Sequence, residues 1–491
     1  MPLLRNAALL DSALPQGRVA DVLVRGERIV AIETPGAIIS GYEEEIDLRG
    51  RALIPGLVNA HTHSHAHLSR GVADRWTLES LLNAAPWTGG GRRPEHQHLS
   101  ALIGAAEMVA KGATAVYDMF AEFPHPSVDG VAAMAQGYEE AGVRAVLAPM
   151  MADRSFYEVI AGVRQTLPAD LAAVVDGIRA APFEASLEHC RRIHAGWRHS
   201  DDRIRLGLVP TIPLHCSDPF IAGCARMAAE HGLPVQMHIA ESPVQAALAG
   251  DVYGETLLAH VDRLGLVSPR FTAAHGVWLT DEDLRRLSGR GGAVAHNPGS
   301  NLRLGSGIAR FRAMLDAGIT VGIGTDGLTS SDNLNMFEAM RVATHVSRVI
   351  NETQDRWIGA GEAFDAATTG GARLCGWGDR IGRIAPHFLA DLVVLDLGAT
   401  HYLPLNNLLQ QIVYCEDGTG VESVMIGGAW VYRDRRHTRI DLAALRSKAN
   451  DAALDLAERN RALRATSERL EPFVGRFCNG IRARFHAGAC C

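Results

Sequence analysis

Two histidines, His61 and His63, stand two residues apart in the segment PGLVNAHTH. On a β-strand that spacing puts both imidazoles on one side, where they can grip a single metal ion. Imidazole suits Zn and Fe, and a third nitrogen plus a carboxylate would complete a site that still admits water. His238, in HIAES, and Asp326, in GIGTDG, have the required types. The alternation runs on through His65 and His67, but one strand end cannot give four ligands to one ion. Those two are assigned to the loop that follows, as substrate contacts or as structure. The chain holds 21 histidines, so a bare HxH arises by chance and the weight falls on the whole set.

Glu241 follows His238 by three residues, which sets a carboxylate beside the metal where it can shuttle a proton between water and substrate. Read alone it is equally a carboxylate at a helix start. His275, in AAHG, is placed to orient the water or stabilise charge, against the plainer role of a satisfied core histidine. His296 is a candidate substrate contact or a support for the loop HNPGSNLRLGSG. Trp76 and Trp87 are candidate lid aromatics, with buried packing as the ordinary alternative.

These groups need a scaffold. From Leu57 to about Gly376 the chain alternates apolar strand-like runs with amphipathic stretches, the pattern of a parallel α/β fold. Eight strands are predicted, at LVNAHTH, TAVYDMF, VRAVLAP, IRLGLVP, PVQMHIA, FTAAHG, GAVAHNP and ITVGIGTD. Eight is the number of a (β/α)8 TIM barrel, whose chemistry collects at the carboxyl ends of the strands. His61 and His63 close the first strand, His238 the fifth, His275 the sixth, His296 the seventh and Asp326 the eighth. Short alternating runs, ADVLVRGERIVAIE near the start and ADLVVLDL near the end, read as antiparallel β from both chain ends. The expected organisation is a small β-sandwich domain from 1–56 plus 377–440, a metal-dependent barrel over 57–376, and a helical extension over 441–491. Leu442, Leu445, Ala449 and Ala452 share one face of that extension, which predicts a packing or oligomer-contact helix.

Composition narrows the class. At 491 residues, 47% hydrophobic and 21% charged, the chain is a globular protein of barrel-plus-domain size. A net charge of -7 argues against a general nucleic-acid binder. The basic run from Arg433 to Arg439 is read as a solvated turn. No apolar run is long enough to span a bilayer, and the first residues lack a persuasive signal peptide, so a cytoplasmic enzyme is expected. The eight cysteines include no CxxC pair, and Cys490 and Cys491 form a terminal pair read as an inert tail. Only two of the 48 basic residues are lysines, Lys111 and Lys448.

Taken in order, PGLVNAHTH, HIAES, AAHG, HNPGSNLRLGSG and GIGTDG resemble the amidohydrolase superfamily, most of all its cytosine, guanine and S-adenosylhomocysteine deaminase and triazine hydrolase branch. GRIAPHFLADLVVLDL is similar to the segment that leads back into that family's small β domain. The resemblance implies His61, His63, His238 and Asp326 as metal ligands, His275 beside the metal-bound water, and Glu241 as proton shuttle. It also implies a small-molecule substrate and a homo-oligomer, dimer or higher. Binuclear relatives use a carbamylated lysine near the end of the fourth strand, and IRLGLVP with its following loop has none. One divalent metal per chain follows, Zn first and Fe second.

GIGTDG also matches GxGxxG, but a dinucleotide fingerprint belongs in an early βαβ unit with an acidic residue about 20 positions on. Here the glycines are read as freeing space beside Asp326. Substrate identity is less legible. Adenosine-type members of the branch carry Gly-Pro-His after the fourth strand, whereas this chain reads VPTIPLHCSDP, with Thr211 in place of the histidine and His215 four residues on. Arg144 and Arg154 bracket the third strand, each a candidate anion contact or a surface ion-pair partner, the surface role being favoured for Arg144. Three functions remain in view: deamination of an aminated N-heteroaromatic ring (purine, pterin, pyrimidine or triazine), hydrolysis of another C–N or C–Cl bond by the same site, and a catalytically silent scaffold.

Overall fold

The computed structural model describes residues 2–39, 41–42, 44–160, 162–488. Five strands open the chain: β1 (Pro2–Asp11), β2 (Leu14–Arg25), β3 (Arg28–Glu33), β4 (Glu44–Asp47) and β5 (Arg51–Pro55). Nine follow in the middle: β6 (Leu57–Thr62), β7 (Ala113–Ala121), β8 (Arg144–Met151), β9 (Ile204–Leu206), β10 (Val209–Pro210), β11 (Val235–Ile239), β12 (Phe271–His275), β13 (Ala293–His296) and β14 (Thr320–Ile323). Four close the set: β15 (Leu392–Asp396), β16 (Val421–Ile426), β17 (Ala429–Arg433) and β18 (Arg436–His437).

The middle strands match the eight expected runs, with one difference. The fourth, IRLGLVP, is interrupted into β9 and β10 at Gly207 and Leu208. Gly207 faces the Tyr117 hydroxyl, and a Cβ there would lie 2.8 Å from it, so the chain passes too close to its neighbour for a side chain. All pairings in the middle are parallel, in one five-stranded and one four-stranded sheet. Backbone hydrogen bonds also run from Leu208 N to Pro234 O (2.9 Å) and from Asp326 N to His61 O (2.9 Å), joining the edge strands of the two sheets. Val58, Ala115, Tyr117, Val146, Ala148 and Val209 pack on one face of the strands, while Leu57, Val116, Leu147, Val235, Phe271 and Val321 pack on the other, in the main core. Burial of both faces is what makes these strands read as nearly continuous apolar runs.

The two chain ends build one nine-stranded sheet, in which β5 lies between β1 and β15. It is mixed rather than purely antiparallel, because β1 runs parallel to both β4 and β5. The reason is connectivity. The chain leaves β3 by a stretch of some length before returning at β4, so the return need not be a hairpin. Arg144 corrects the surface expectation. It is fully buried, donating Nε and Nη2 to the two carboxylate oxygens of Asp391 at 2.7 and 2.9 Å, and so ties β8 to the loop before β15.

The helical extension consists of two helices, Leu442–Arg459 and Arg461–Gly488, broken at Asn460. Leu445, Ala449 and Ala452 turn inward with Leu456, but Leu442 is exposed, so the apolar face is shifted by one turn. The second helix packs within the chain against helices Leu78–Thr88 and Pro243–Tyr253, with Val474, Cys478 and Ile481 in the main core. Among the described residues all six cysteines are free, while Cys490 and Cys491 lie outside them. No helix of the described residues is long and apolar enough to cross a membrane.

Candidate metal centre and active site

The strand ends bring together five side chains that the sequence scatters over 266 positions. His61 lies on β6 and His63 just beyond it, His238 lies on β11, His275 closes β12, and Asp326 stands three residues after β14. Ligand atoms of His61, His63 and His238 all lie within 4.8 Å of one another, as do those of His61, His275 and Asp326. Asp326 Oδ1 is 3.2 Å from His63 Nε2 and 3.6 Å from His61 Nε2.

Each imidazole is held by its far nitrogen. His61 Nδ1 donates to Gln236 Oε1 (2.5 Å), His63 Nδ1 to the Met119 carbonyl (2.6 Å) and His238 Nδ1 to the Thr211 carbonyl (2.7 Å). With the proton fixed on Nδ1, every Nε2 presents a lone pair to the centre. The Nε2 atoms of His63 and His238 stand 3.2 Å apart with no proton to share between them. His61 Nε2 is buried and has no hydrogen-bond partner. Lone pairs converging in this way repel unless a cation lies among them, so the donor set of three neutral imidazoles and one carboxylate fits a divalent metal. Burial lowers His63 to about 4 and holds His238 well below the ordinary imidazole value, keeping both neutral. For Asp326, burial alone would raise the carboxyl. The adjacent imidazoles of His61 and then His63 outweigh it and hold the group well below the usual range.

Glu241 is 2% exposed and its Oε2 lies 3.6 Å from His275 Nε2. Burial, the Asp326 carboxylate and then Glu79 push its pKa well above the ordinary value, favouring a protonated carboxyl. His275 Nδ1 donates to Asn301 Oδ1 (2.9 Å), which turns its Nε2 toward Glu241 and Asp326, and burial lowers its pKa to about 3. Three residues here carry backbone conformations that only glycine adopts freely: Ala240 (φ 50°), His275 (φ 68°) and Asp326 (φ 63°). Each sits where a strand ends and a side chain is re-aimed, the usual location of stored backbone strain.

The glycines of GIGTDG serve close approach. A Cβ on Gly324 would fall 2.4 Å from Asn297 Oδ1 and 2.7 Å from His61 Cβ.

The other candidates have definite places. His65 is half-buried next to His63, with ring centroids 5.5 Å apart, and its Nδ1 accepts from Ala121 N. His67 turns away, donating Nδ1 to the Ser100 carbonyl (2.8 Å) against helix Pro94–Ala110, where a Cβ on Gly104 would meet its ring at 2.1 Å. Trp76 is half-buried and meets Trp87 edge-to-face at 6.2 Å, and Arg464 of the last helix covers Trp87 at 5.0 Å. Thr211 contributes its carbonyl to His238, while its hydroxyl faces the Met150 sulfur. His215 is buried over Phe156, its carbonyl accepts from Asp153 and Arg154, and burial lowers its pKa to about 4. Arg154 is half-buried beside it. His296 is buried against Phe311 with both ring nitrogens unpartnered.

Gln236, Asn301 and Gln245, whose Oε1 accepts from Glu241 N, were missed by the reading of the sequence. Gln236 lies two before His238 on the same strand face, and that alternation was the available signal.

Residues 52–431 match the Amidohydrolase family. The chain belongs to that family. It is 34% identical over 450 residues to a 5-methylthioadenosine/S-adenosylhomocysteine deaminase of Nitratidesulfovibrio vulgaris, covering 89% of this chain and 91% of the relative. Among solved structures, an adenosine deaminase from Xanthomonas campestris with bound zinc superposes with TM-score 0.83 at 29% identity, covering 93% and 98% of the two chains. An atrazine chlorohydrolase from Arthrobacter aurescens complexed with zinc superposes with TM-score 0.82 at 25% identity, over 92% and 100%. This amidohydrolase thus shares its architecture with enzymes named for two different leaving groups.

Proposed function

We propose that this amidohydrolase is a mononuclear aminohydrolase that deaminates an N-heteroaromatic ring, with zinc as the first choice of metal and iron the second. The observation that carries the reading is the set of three imidazoles anchored through Nδ1 and converging through Nε2 on Asp326. His61, His63, His238 and Asp326 would hold the ion. When bound, the metal supplies Lewis acidity that makes water nucleophilic near neutral pH. Lys111 donates to the Asp417 carbonyl and Lys448 sits on the terminal extension, so neither lysine lies among these groups, in keeping with a single ion.

Asp326 and His275 are placed to accept the proton that water gives up as it adds to the ring carbon. Glu241, kept protonated by its surroundings, delivers a proton to the adjacent ring nitrogen. Returned to Glu241, the next proton goes to the exocyclic amine, which leaves as ammonia while the carbonyl product forms. His65 and Trp76 follow the first strand and are proposed, with Arg154, His215 and His296, as the surroundings of the substrate. The buried setting of His67 supports a role in holding that loop.

The relatives' architecture supports closing the two parallel sheets into one (β/α)8 barrel over 57–376. The nine-stranded sheet would then be the small β-sandwich domain, 1–56 plus 377–440, with 441–491 as a separate extension. A second reading, hydrolysis of a different C–N or C–Cl bond, is favoured by two observations. Thr211 stands where adenosine-type members carry histidine, and a chlorohydrolase is among the similar structures.

Two measurements test the proposal. Elemental analysis should find about one zinc or iron per chain, and His61→Ala should lose both metal and turnover. An ammonia-release screen over purines, pterins, pyrimidines and triazines should find a substrate. Silence across that panel with chloride or amine release from triazines would transfer the reading to the second reaction, and a metal-free, stably folded protein would sink both.

A further inference from the structure

At the end of the parallel strands opposite the metal centre lies a cavity of about 260 Å³. It is lined by Arg205, Arg270 and Arg373, by Thr272 and Thr320, and by backbone at glycines such as Gly376, with no aspartate or glutamate in its walls among the described residues. We propose that this cavity binds a compact phosphate-bearing anion of about the size of pyrophosphate.

Three arginine side chains border one small space, so their positive charge adds up at a point where an oxyanion could accept from more than one of them. Nearby arginines are neutralised within the chain: Arg144 by Asp391, Arg203 by Glu27, Arg290 by Asp262. The three that line the cavity form no ion pair among the described residues. Arg205 instead donates Nη1 to the carbonyls of Gly376 (2.8 Å) and Cys375 (3.2 Å) and rests over Trp377 at 5.9 Å, which fixes its plane. A Cβ on Gly376 would fall 2.2 Å from that nitrogen, so the backbone is moulded around the guanidinium. The Thr272 and Thr320 hydroxyls give their protons to no protein acceptor among the described residues, which leaves them for a ligand oxygen.

Guanidinium forks match phosphate geometry, and a chain of net charge -7 that keeps three unpaired arginines together is selecting for an anion at that point. The volume sits below the range of about 300–1,000 Å³ usual for drug-sized ligands, which favours pyrophosphate or a small phosphorylated metabolite over a nucleotide. Thr272 precedes His275 by three residues on β12, so an occupant here touches a strand that also carries a group of the metal centre.

The test is calorimetric titration of the metal-loaded, full-length protein with pyrophosphate, orthophosphate, sulfate and ATP at constant ionic strength. Saturable one-to-one binding of pyrophosphate is expected, tighter than orthophosphate or sulfate. Arg270→Ala/Arg373→Ala should weaken it at least tenfold, because each residue removes a charge-assisted hydrogen bond. Both arginines are exposed, so the double variant should fold, which its circular dichroism checks, and should turn over substrate at the wild-type rate without added anion. Arg461→Ala, on the terminal helix, should leave the affinity unchanged. No saturable binding by the wild type, or equal affinity in the double variant, would overturn the site, the latter by placing the anion elsewhere, the metal centre included. ATP binding more tightly than pyrophosphate would overturn the size assignment.

Discussion

Two buried carboxylate environments in this amidohydrolase treat charge in opposite ways. Asp391, where the nine-stranded sheet meets β8, is gripped by the Arg144 guanidinium and by Gly427 N, so its charge is answered inside the protein. At the carboxyl ends of the parallel strands, Asp326 and Glu241 share a buried centre with four histidines and, among the described residues, no arginine or lysine paired with them. The first environment is complete as folded. The second is arranged for something the chain does not supply, and it keeps lone pairs face to face and three residues at positive φ to do so.

Four changes would break or sharpen that contrast. The largest effect is expected of Glu241→Gln, which preserves shape and metal but removes the transferable proton. Turnover should fall about 10²–10⁴-fold with metal content unchanged, and near wild-type turnover would remove the shuttle role. Asp391→Ala attacks the other environment. Leaving Arg144 buried and unpaired should cost about 3–5 kcal/mol in denaturant unfolding, with per-molecule turnover of the folded fraction retained. If turnover fell in step with stability, the two regions would not be separable.

Asn301→Ala comes next. It frees the His275 ring while leaving the proposed ligands in place, and a loss of about 10–100-fold in turnover is expected with little change in unfolding midpoint. The smallest effect concerns His67, lowered to about 3 by burial. Its native state stays neutral while the unfolded chain takes up a proton below about pH 6.5, so stability is lost as pH falls through that value, at most about 1.4 kcal/mol per pH unit. His67→Gln should flatten this slope between pH 6.5 and 4.5. An unchanged slope would mean that the ring is already protonated or exposed.

Much of the centre was legible because its chemistry is written in residue types. His61, His63, His238, His275 and Asp326 fall at the ends of runs whose periodicity already marked them as strands, and position along a strand is a property of sequence. The apolar strands were legible for the same reason, burial on both faces leaving little else they could be. Arg144 was misplaced because nothing in its local sequence distinguishes a surface arginine from one buried against a carboxylate 247 residues away. The sheet of the chain ends was likewise read as antiparallel, whereas β4 and β5 run parallel to β1, since strand direction depends on which segment arrives beside a strand and not on the strand itself.

What the sequence determined by itself is therefore the inventory: the family, the strand ends, and the residue types gathered at them. Tertiary structure decided how that inventory is presented. Only folding brings Gln236 to His61, Met119 to His63, Thr211 to His238 and Asn301 to His275, and these contacts decide which nitrogen of each ring carries the proton. Folding likewise separates His65, beside the centre, from His67, turned against helix Pro94–Ala110, though the two belong to one alternating run. The physical reason is the same throughout. A hydrogen bond or a desolvated charge depends on neighbours in space, and long loop closures set those neighbours where no local pattern records them.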